Sequence, residues 1–189
     1  MTEPEAISQA DLRRLSPSPL VRRYGNEVVL AAGGSPILDV ACGGGRNSVW
    51  LAHLGGRVLG IDIDLRRIGA ERTRFVDSLL NRAFERVELL KADLVREVWP
   101  FPPSSVGGIV NIHFLQESLL RSFCRSVVSG GLLIMETVPA RGGNYLQLPR
   151  AGLLRGALED SFSFVFYKER PAGPRGIDAV TVQLLAKRR

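Results

Sequence analysis

The chain has 189 residues, a net charge of +6 and 45% hydrophobic residues. This length allows one domain with a sizeable core and is short for two domains. No apolar run reaches the roughly 20 residues that a membrane span needs, and residues 1–14 lack the basic and then apolar order of a secretory signal. These observations exclude a membrane-spanning protein and predict a cytoplasmic one.

The cysteines and the positive charge bear on the partners of the protein. Cys42 and Cys124 lie far apart and are interpreted as reduced thiols, and no cluster of cysteines and histidines has the spacing of metal ligands. Arginines and lysines are spread along the chain and form no dense stretch interleaved with aromatics. We therefore expect no metal and no membrane partner, and a nucleic-acid partner is an alternative that is not favoured.

In chain order, short apolar strands alternate with helices through residue 138. Residues 1–15 are predicted to be a mobile N-terminal segment, and residues 16–189 a single domain. Glycine pairs close several elements, as Gly33 and Gly34 do after the first long helix. The predicted elements are a helix over 20–32, a strand over 36–40, a helix over 47–54, a strand over 57–61, a helix over 64–84 capped by Asp64, a strand over 87–90, a loop over 99–103, a strand over 108–114, a helix over 117–128 and a strand over 132–138.

The C-terminal part breaks this alternation. Residues 150–160 are predicted to be a helix, and residues 162–168 and 177–187 two strands. The turn between these strands is too short for a helical crossover, so they should form an antiparallel hairpin. The pattern predicts the α/β class: a Rossmann-like, doubly wound, mostly parallel seven-stranded sheet with a C-terminal antiparallel hairpin. Such sheets bind ligands beyond the carboxyl ends of their strands, where the strand order reverses.

The most informative stretch runs from Asp39 to Ser48, DVACGGGRNS, between the first predicted strand and the next helix. Its glycines let the backbone approach a ligand closely, and the helix N-terminus offers unpaired N–H groups to a carboxylate or phosphate. Asp62 follows Gly43 by 19 residues, where an acid can hold both ribose hydroxyls of an adenosine. The pattern fits a dinucleotide or S-adenosylmethionine. Asp39 favours the second ligand, since a carboxylate repels a pyrophosphate and attracts a sulfonium.

This stretch resembles the cofactor loop of the class I S-adenosylmethionine-dependent methyltransferases. More narrowly, it is similar to the tellurite-resistance and thiopurine-type group, in which Arg-Asn-Ser commonly follows the glycines, and the resemblance extends over residues 20–189. It implies S-adenosylmethionine as cofactor, S-adenosylhomocysteine as product and a small-molecule acceptor. The accepting atom is a soft sulfur, selenium or tellurium anion, or otherwise an oxygen or nitrogen.

The resemblance also assigns roles to single residues. Asp62 is the expected ribose ligand, the Asp93 carboxylate is expected to accept from the adenine amino group, and Asn111 and Ile112 are expected to present backbone carbonyls to the methionine portion. The full set of implied cofactor-binding residues is Asp39, Ala41, Gly43, Gly45, Arg46, Asn47, Asp62, Ile63, Ala92, Asp93, Leu94, Asn111 and Ile112.

Two positions depart from the pattern of the family. Ala41 replaces the first glycine of the loop, which is tolerable if its φ is negative. Gly107 and Gly108 stand where an acid is common near the start of the fourth strand.

On the acceptor side, His113 is the candidate general base, with a histidine of the pocket wall as the equally weighted alternative. Tyr24 is a candidate for capping the cofactor and facing its cation. Arg141, Tyr145 and Arg150 are candidates for meeting an anionic acceptor, although arginines on a surface loop need no such role.

Three other functions compete with methylation of a small molecule. The basic surface would serve an RNA or protein methyltransferase, for which strong salt dependence of RNA binding would be evidence. The missing acid at Gly107 and Gly108 leaves room for a protein that binds S-adenosylmethionine without turnover. A nicotinamide oxidoreductase ranks last.

Overall fold

The computed structural model describes residues 7–140 and 143–189, except for the side chain of Tyr145. Within these residues the strands are β1 (Ile37–Val40), β2 (Val58–Asp62), β3 (Glu88–Lys91), β4 (Val106–Ile112), β5 (Val127–Glu136), β6 (Phe162–Pro171) and β7 (Val180–Arg188). The helices are α1 (Gln9–Leu15), α2 (Pro19–Ala32), α3 (Arg46–His53), α4 (Arg66–Arg72), α5 (Leu80–Arg86), α6 (Leu120–Ser126) and α7 (Leu153–Leu158), and short 3-10 turns cover Thr73–Phe75, Glu117–Leu119 and Asn144–Gln147.

The strands form one seven-stranded sheet in the order β3-β2-β1-β4-β5-β7-β6. Strands β1 to β5 pair in parallel, and β7 runs antiparallel to both β5 and β6. The predicted fold class is therefore confirmed, including the C-terminal hairpin. The strand order reverses between β1 and β4, which places the ligand crevice of such a sheet beyond the carboxyl ends of these two strands.

The sheet is buried on both faces. Ile37 belongs to the hydrophobic cluster on the face covered by α2, α3 and α5, and Leu38 belongs to the cluster on the opposite face, under α6 and α7. Ile37 and Leu38 are successive residues of β1, so their side chains point to opposite sides of the sheet. Both are fully buried, which shows that each face is covered. A strand that is buried on both faces is apolar at successive positions, which explains the continuous apolar run in this part of the sequence.

Helix α2 begins and ends where its sequence indicates. Ser18 is its N-cap and accepts a hydrogen bond from the backbone N–H of Leu20 at 3.3 Å, and Pro19 occupies the first turn, where a proline costs no hydrogen bond. Gly33 ends the helix in the left-handed conformation with φ 56°. The predicted helix over 20–32 is confirmed.

The predicted single helix over 64–84 is wrong. The chain forms α4, a 3-10 turn and α5 in its place, and Leu65, not Asp64, is the N-cap of α4. Asp64 accepts from the backbone N–H of Arg66 at 3.0 Å within a turn. The break between the helices lets the rings of Phe75 and Phe84 stack in the core with their centroids 5.5 Å apart.

Two further boundaries differ from the sequence predictions. Residues 9–15, within the N-terminal segment, form helix α1, with Leu12 and Leu15 buried against the rest of the protein. The helix predicted over 117–128 ends at Ser126, and β5 begins one residue later. Its pairing with β4 shifts between Val127 and Leu132, which places Gly130 and its φ of 82° in an irregular stretch of the strand.

Gly107 explains one departure from the family pattern. A Cβ atom at this position would lie 2.6 Å from the Cα atom of Ala32, so the end of α2 packs directly on the backbone of β4. An acidic side chain at residue 107 would collide with the backbone of α2. The glycine is therefore a requirement of packing in this chain.

None of the helices within the described residues combines the length and the apolar character needed to cross a membrane.

Candidate functional site

A cavity of about 490 Å³ lies at the point where the strand order reverses, and we call it the first cavity. Its wall includes the loop that follows β1, the start of α3, and Ile112 and His113 at the end of β4. Arginines from other elements, among them Arg14 and Arg67, also face it. The cavity therefore lies where the sequence predicted the ligand.

The glycine loop adopts the tight conformation that its composition permits. Gly43 and Gly45 have φ values of 56° and 79°, in the left-handed region that favours glycine. A Cβ atom at Gly45 would lie 2.3 Å from Cδ1 of Ile68 on α4. Ala41 also lies in the left-handed region, with φ 56°, so the negative φ that would make an alanine tolerable at this position is not adopted. The chain turns at Ala41 because the next residue, Cys42, donates its N–H to the carbonyl of Ile61 on β2.

Asp39 is a buried carboxyl group beneath this loop. Its side chain is only 1% exposed, and its Oδ2 atom accepts a hydrogen bond from the Ser48 hydroxyl at 2.5 Å. Burial raises the pKa of Asp39 to about 6, although the hydrogen bond from Ser48 opposes this rise. Asp39 is therefore costly to keep ionised and is held in place by the helix that follows the loop.

Asp62 ends β2 and holds the glycine loop directly. Its Oδ2 atom accepts from the N–H of Gly43 at 2.8 Å, and its Oδ1 atom accepts from the N–H of Asp64 at 3.0 Å. Each carboxylate oxygen can accept a further hydrogen bond, since an ionised carboxylate has about four acceptor positions. Ile63 follows Asp62 and is 59% exposed.

The residues expected at the adenine lie beside Asp62. The N–H of Ala92 donates to the carbonyl of Asp62 at 3.0 Å, and both Ala92 and Leu94 are buried. Asp93 caps the turn that follows β3: its Oδ1 atom accepts from the N–H of Val95 at 3.1 Å. The structure thus brings Asp62 and residues 92–94 together at one edge of the sheet.

Asn111 carries a buried polar atom that has no partner. The residue is 1% exposed, and its Oδ1 atom makes no hydrogen bond to any described part of the chain. Leaving a buried acceptor unsatisfied costs roughly 1–3 kcal/mol, so such groups commonly have a functional reason. Asn111 pairs in the sheet with Val40, directly before the glycine loop.

Arg46 and Asn47 hold the segment before α2 against the loop. The Asn47 Oδ1 atom accepts from the N–H of Ser18 at 2.9 Å, and the Arg46 guanidinium donates to the carbonyl of Ser16 at 3.2 Å. Both residues also line the first cavity. Their side chains therefore connect α3 to the segment before α2.

His113 has a strained backbone and an acidic neighbour. Its φ is 64°, which is uncommon for a residue other than glycine and is found preferentially at functional sites. Its N–H donates to the carbonyl of Glu136 at 2.7 Å, and its Nε2 atom lies 3.6 Å from Oε1 of the same residue. The other carboxylate oxygen of Glu136 accepts from the Ser18 hydroxyl at 2.9 Å. The sequence analysis missed Glu136, although an acid at the end of a parallel strand was a usable signal.

Of the residues predicted on the acceptor side, His113 lines the first cavity, whereas Tyr24 and Arg150 do not. Tyr24 packs against the core, with the Arg23 guanidinium 5.0 Å from the centre of its ring, and Arg150 is exposed. Neither residue is among those that line the first cavity in the described structure. Arg141 and the side chain of Tyr145 lie outside the described residues.

Within residues 7–140 and 143–189, no group of three or more His, Cys, Asp or Glu residues is arranged to hold a metal ion. Cys42 lies in the glycine loop, where burial raises the pKa of its thiol far above the ordinary value. The thiol therefore stays protonated and is a poor nucleophile.

Three polar groups that adjoin the wall of the first cavity fit S-adenosylmethionine. Asp62 offers acceptors to ribose hydroxyls, and Asp39 favours the positive charges of a sulfonium and an ammonium. The Oδ1 atom of Asn111, which has no partner in the described part of the chain, can accept a hydrogen bond from a bound ligand. The fold and this site together define the class of Rossmann-like methyltransferases.

Comparison with known families supports this class. The profile of a family described as a methyltransferase domain matches residues 37–131, about half of the chain, and the chain belongs to this family. The class I S-adenosylmethionine-dependent methyltransferase predicted from the sequence is confirmed, with S-adenosylmethionine as cofactor and S-adenosylhomocysteine as product. The narrower likeness to the tellurite-resistance and thiopurine-type group stays a prediction.

Several solved structures share the fold. A geranyl diphosphate methyltransferase in complex with S-adenosylmethionine has a TM-score of 0.69 and 14% identity, over 95% of this chain and 88% of that one. A methyltransferase from Methanosarcina mazei has a TM-score of 0.60 and 20% identity, over 90% and 97%. A 4+2 cyclase has a TM-score of 0.63 and 16% identity, over 99% and 85%. No curated protein matches the sequence.

Proposed function

We propose that the first cavity binds S-adenosylmethionine and that the protein transfers the methyl group to a small-molecule acceptor. One observation carries this proposal: the glycine loop lines a single cavity at the point where the strand order reverses, and the acids Asp39 and Asp62 and the unpaired Asn111 adjoin residues of its wall.

The proposal assigns a contact to each part of the cofactor. Asp62 accepts from the ribose hydroxyls, and Asp93 accepts from the adenine amino group beside the buried Ala92 and Leu94. The glycine loop and the N-terminus of α3 receive the carboxylate of the methionine portion. The backbone carbonyls of Asn111 and Ile112 accept from its ammonium group. The further residues in this proposed set are Asp39, Ala41, Gly43, Gly45, Arg46, Asn47 and Ile63.

In the reaction, a lone pair of the acceptor atom forms a bond to the methyl carbon while the carbon–sulfur bond of S-adenosylmethionine breaks and its electron pair stays on sulfur, which leaves S-adenosylhomocysteine. The protein mainly aligns the two reactants. His113 accepts the proton that a neutral acceptor loses, and Glu136 is a positioning residue that orients the imidazole. An acceptor that is already anionic has no proton to lose and needs no base.

One alternative is a protein that binds S-adenosylmethionine without transferring its methyl group. The fold is shared with a cyclase, so the fold alone does not establish methyl transfer. A protein that binds the cofactor without turnover would release no S-adenosylhomocysteine with any acceptor.

A cytosolic location and the single-domain organisation over residues 16–189 stay predictions of the sequence.

His113→Gln is expected to separate two classes of acceptor. With neutral hydroxyl or amine acceptors, the variant should lower kcat by about 100-fold, the lower end of what a positioned base contributes. With thiolates or other soft anions, kcat should stay within about threefold of the parent, because no proton is transferred to the base. The measurement is the rate of S-adenosylhomocysteine release across a panel of neutral and anionic acceptors, which also tests the proposed function.

The chain supplies a matched control in His53, its other histidine, which lies at the end of α3. His53→Gln should leave both classes of acceptor unchanged. Glu136→Gln should lower kcat for the neutral acceptors by about tenfold and leave kcat for the anionic acceptors unchanged, since its proposed effect on the chemical step is through the orientation of His113. Equal kcat in the parent and His113→Gln with a neutral acceptor would show that His113 is only a residue of the cavity wall.

A further inference from the structure

A second cavity, of about 330 Å³, opens beside Glu136. It lies over the antiparallel part of the sheet, where Thr137 follows β5 and where Lys168 and Arg170 on β6 and Gln183 on β7 contribute to its wall. The sequence analysis assigned no function to any of these positions.

The two cavities meet at one pair of side chains. Glu136 lines the second cavity, and His113 lines the first. The Nε2 atom of His113 lies 3.6 Å from Oε1 of Glu136, so the candidate base stands at the boundary between them. If the methionine portion of the cofactor lies against Asn111 and Ile112, as proposed above, the methyl group is delivered next to this boundary.

The second cavity also carries positive charge that has no partner. Lys168 and Arg170 are two residues apart on β6, so their side chains leave the same face of the strand. Neither side chain forms a hydrogen bond or an ion pair with the described part of the chain. The intervening acid, Glu169, is engaged elsewhere: it accepts from the hydroxyl of Tyr167 and from the N–H of Gly152.

Glu136, the acid on the wall, forms no ion pair with either cation in the described part of the chain. One carboxylate oxygen of Glu136 accepts from the Ser18 hydroxyl at 2.9 Å, and the other faces His113. One end of the second cavity is therefore next to the candidate base, and its wall also carries two cations. A carboxylate or a phosphate is the group that such cations bind.

We propose that the second cavity binds the methyl acceptor, and that Lys168 and Arg170 select an acceptor with a carboxylate or phosphate group remote from the accepting atom. This inference rests on the proposed function, because it takes the first cavity as the cofactor site. It places acceptor recognition on two residues of the C-terminal hairpin, Lys168 and Arg170.

The test uses the full chain saturated with S-adenosylhomocysteine and two probes, inorganic pyrophosphate and succinate, titrated by calorimetry. At least one probe should bind the parent, and comparison of the two shows whether phosphate or carboxylate is preferred. The double variant Lys168→Gln/Arg170→Gln should raise the dissociation constant of that probe by about tenfold or more. The control Lys187→Gln/Arg121→Gln removes the same charge from two exposed positions outside the cavity and should bind the probe as the parent does.

Binding of S-adenosylhomocysteine itself is measured first for every variant and should be unchanged. Failure of the parent to bind S-adenosylhomocysteine would overturn the proposed function. If the parent binds S-adenosylhomocysteine but neither probe, or if both double variants weaken the probe equally, the proposed acceptor site is wrong and the cofactor assignment stands.

Discussion

Asp62→Ala is expected to weaken the binding of S-adenosylhomocysteine by about 100-fold or more while the protein stays folded. Two hydrogen bonds from ribose hydroxyls to an ionised carboxylate are worth roughly 1.5–3 kcal/mol each, and about 1.4 kcal/mol corresponds to tenfold in affinity. The variant also loses the bonds that hold the N–H groups of Gly43 and Asp64. Asp62 lies half-buried at a strand end, so no core packing is removed. Calorimetric titration measures the affinity directly.

Asp64 is the matched control for this prediction. It is an acid two residues away whose carboxylate pairs with the Arg66 guanidinium at 2.7 Å, and exposed pairs of this kind contribute little to stability. Asp64→Ala should bind S-adenosylhomocysteine as the parent does. Parent-like affinity in Asp62→Ala would show that Asp62 does not hold the ribose.

Asp39→Asn is expected to stabilise the protein near neutral pH and to weaken cofactor binding. The pKa of Asp39 is about 6 in the folded protein against an ordinary value of 3.8, so the folded state binds this proton more tightly than the unfolded state. The contribution of Asp39 to stability is therefore fully present below about pH 3.8 and is lost as the pH rises through about 6. Two pKa units correspond to about 3 kcal/mol, the largest gain that the neutral amide should give at pH 7.5.

Thermal unfolding between pH 4 and pH 7.5 measures this effect. The Tm of Asp39→Asn should exceed that of the parent by about 5–10 °C at pH 7.5, and the difference should shrink towards zero at pH 4. Affinity for S-adenosylmethionine should fall by about tenfold, because the carboxylate no longer attracts the sulfonium and ammonium groups. Asp77→Asn, a change at an exposed acid, is the control and should alter neither quantity. A Tm difference that is the same at both pH values would contradict the buried, ionised state of Asp39.

Features of the fold that depend on local sequence were predicted well. The strands β1 and β2 are largely apolar runs that each begin shortly after a glycine pair, and the Ser18, Pro19 and Gly33 signals mark both ends of α2. The boundaries that failed depend on contacts between distant residues. Helix α1 and the break before α5 are joined by a hydrogen bond from the Ser78 hydroxyl to Asp11, which lies 67 positions earlier in the chain.

In the candidate site too, residues marked by the local sequence were predicted, and residues that depend on distant contacts were missed. Asp39 and Asp62 were identified because they adjoin the glycine loop in the sequence or end the next strand. Glu136 was missed because its importance comes from Ser18, 118 positions away, and from the strained His113. Lys168 and Arg170 were missed because cations at alternate positions are also typical of any solvent-exposed strand. The sequence does not reveal the cavity that they line.

The central claim is that the first cavity binds S-adenosylmethionine and not a dinucleotide. Arginines on its wall, including Arg14 and Arg67, would also suit a pyrophosphate, so the two ligands must be compared directly. The decisive measurement is thermal unfolding of the parent with S-adenosylhomocysteine at about 100 times its dissociation constant, where a ligand stabilises by roughly 2.7 kcal/mol, and with NAD at the same concentration. We predict a rise in Tm of about 5–10 °C with S-adenosylhomocysteine and none with NAD. A rise with NAD and none with S-adenosylhomocysteine would contradict the assignment of the cavity.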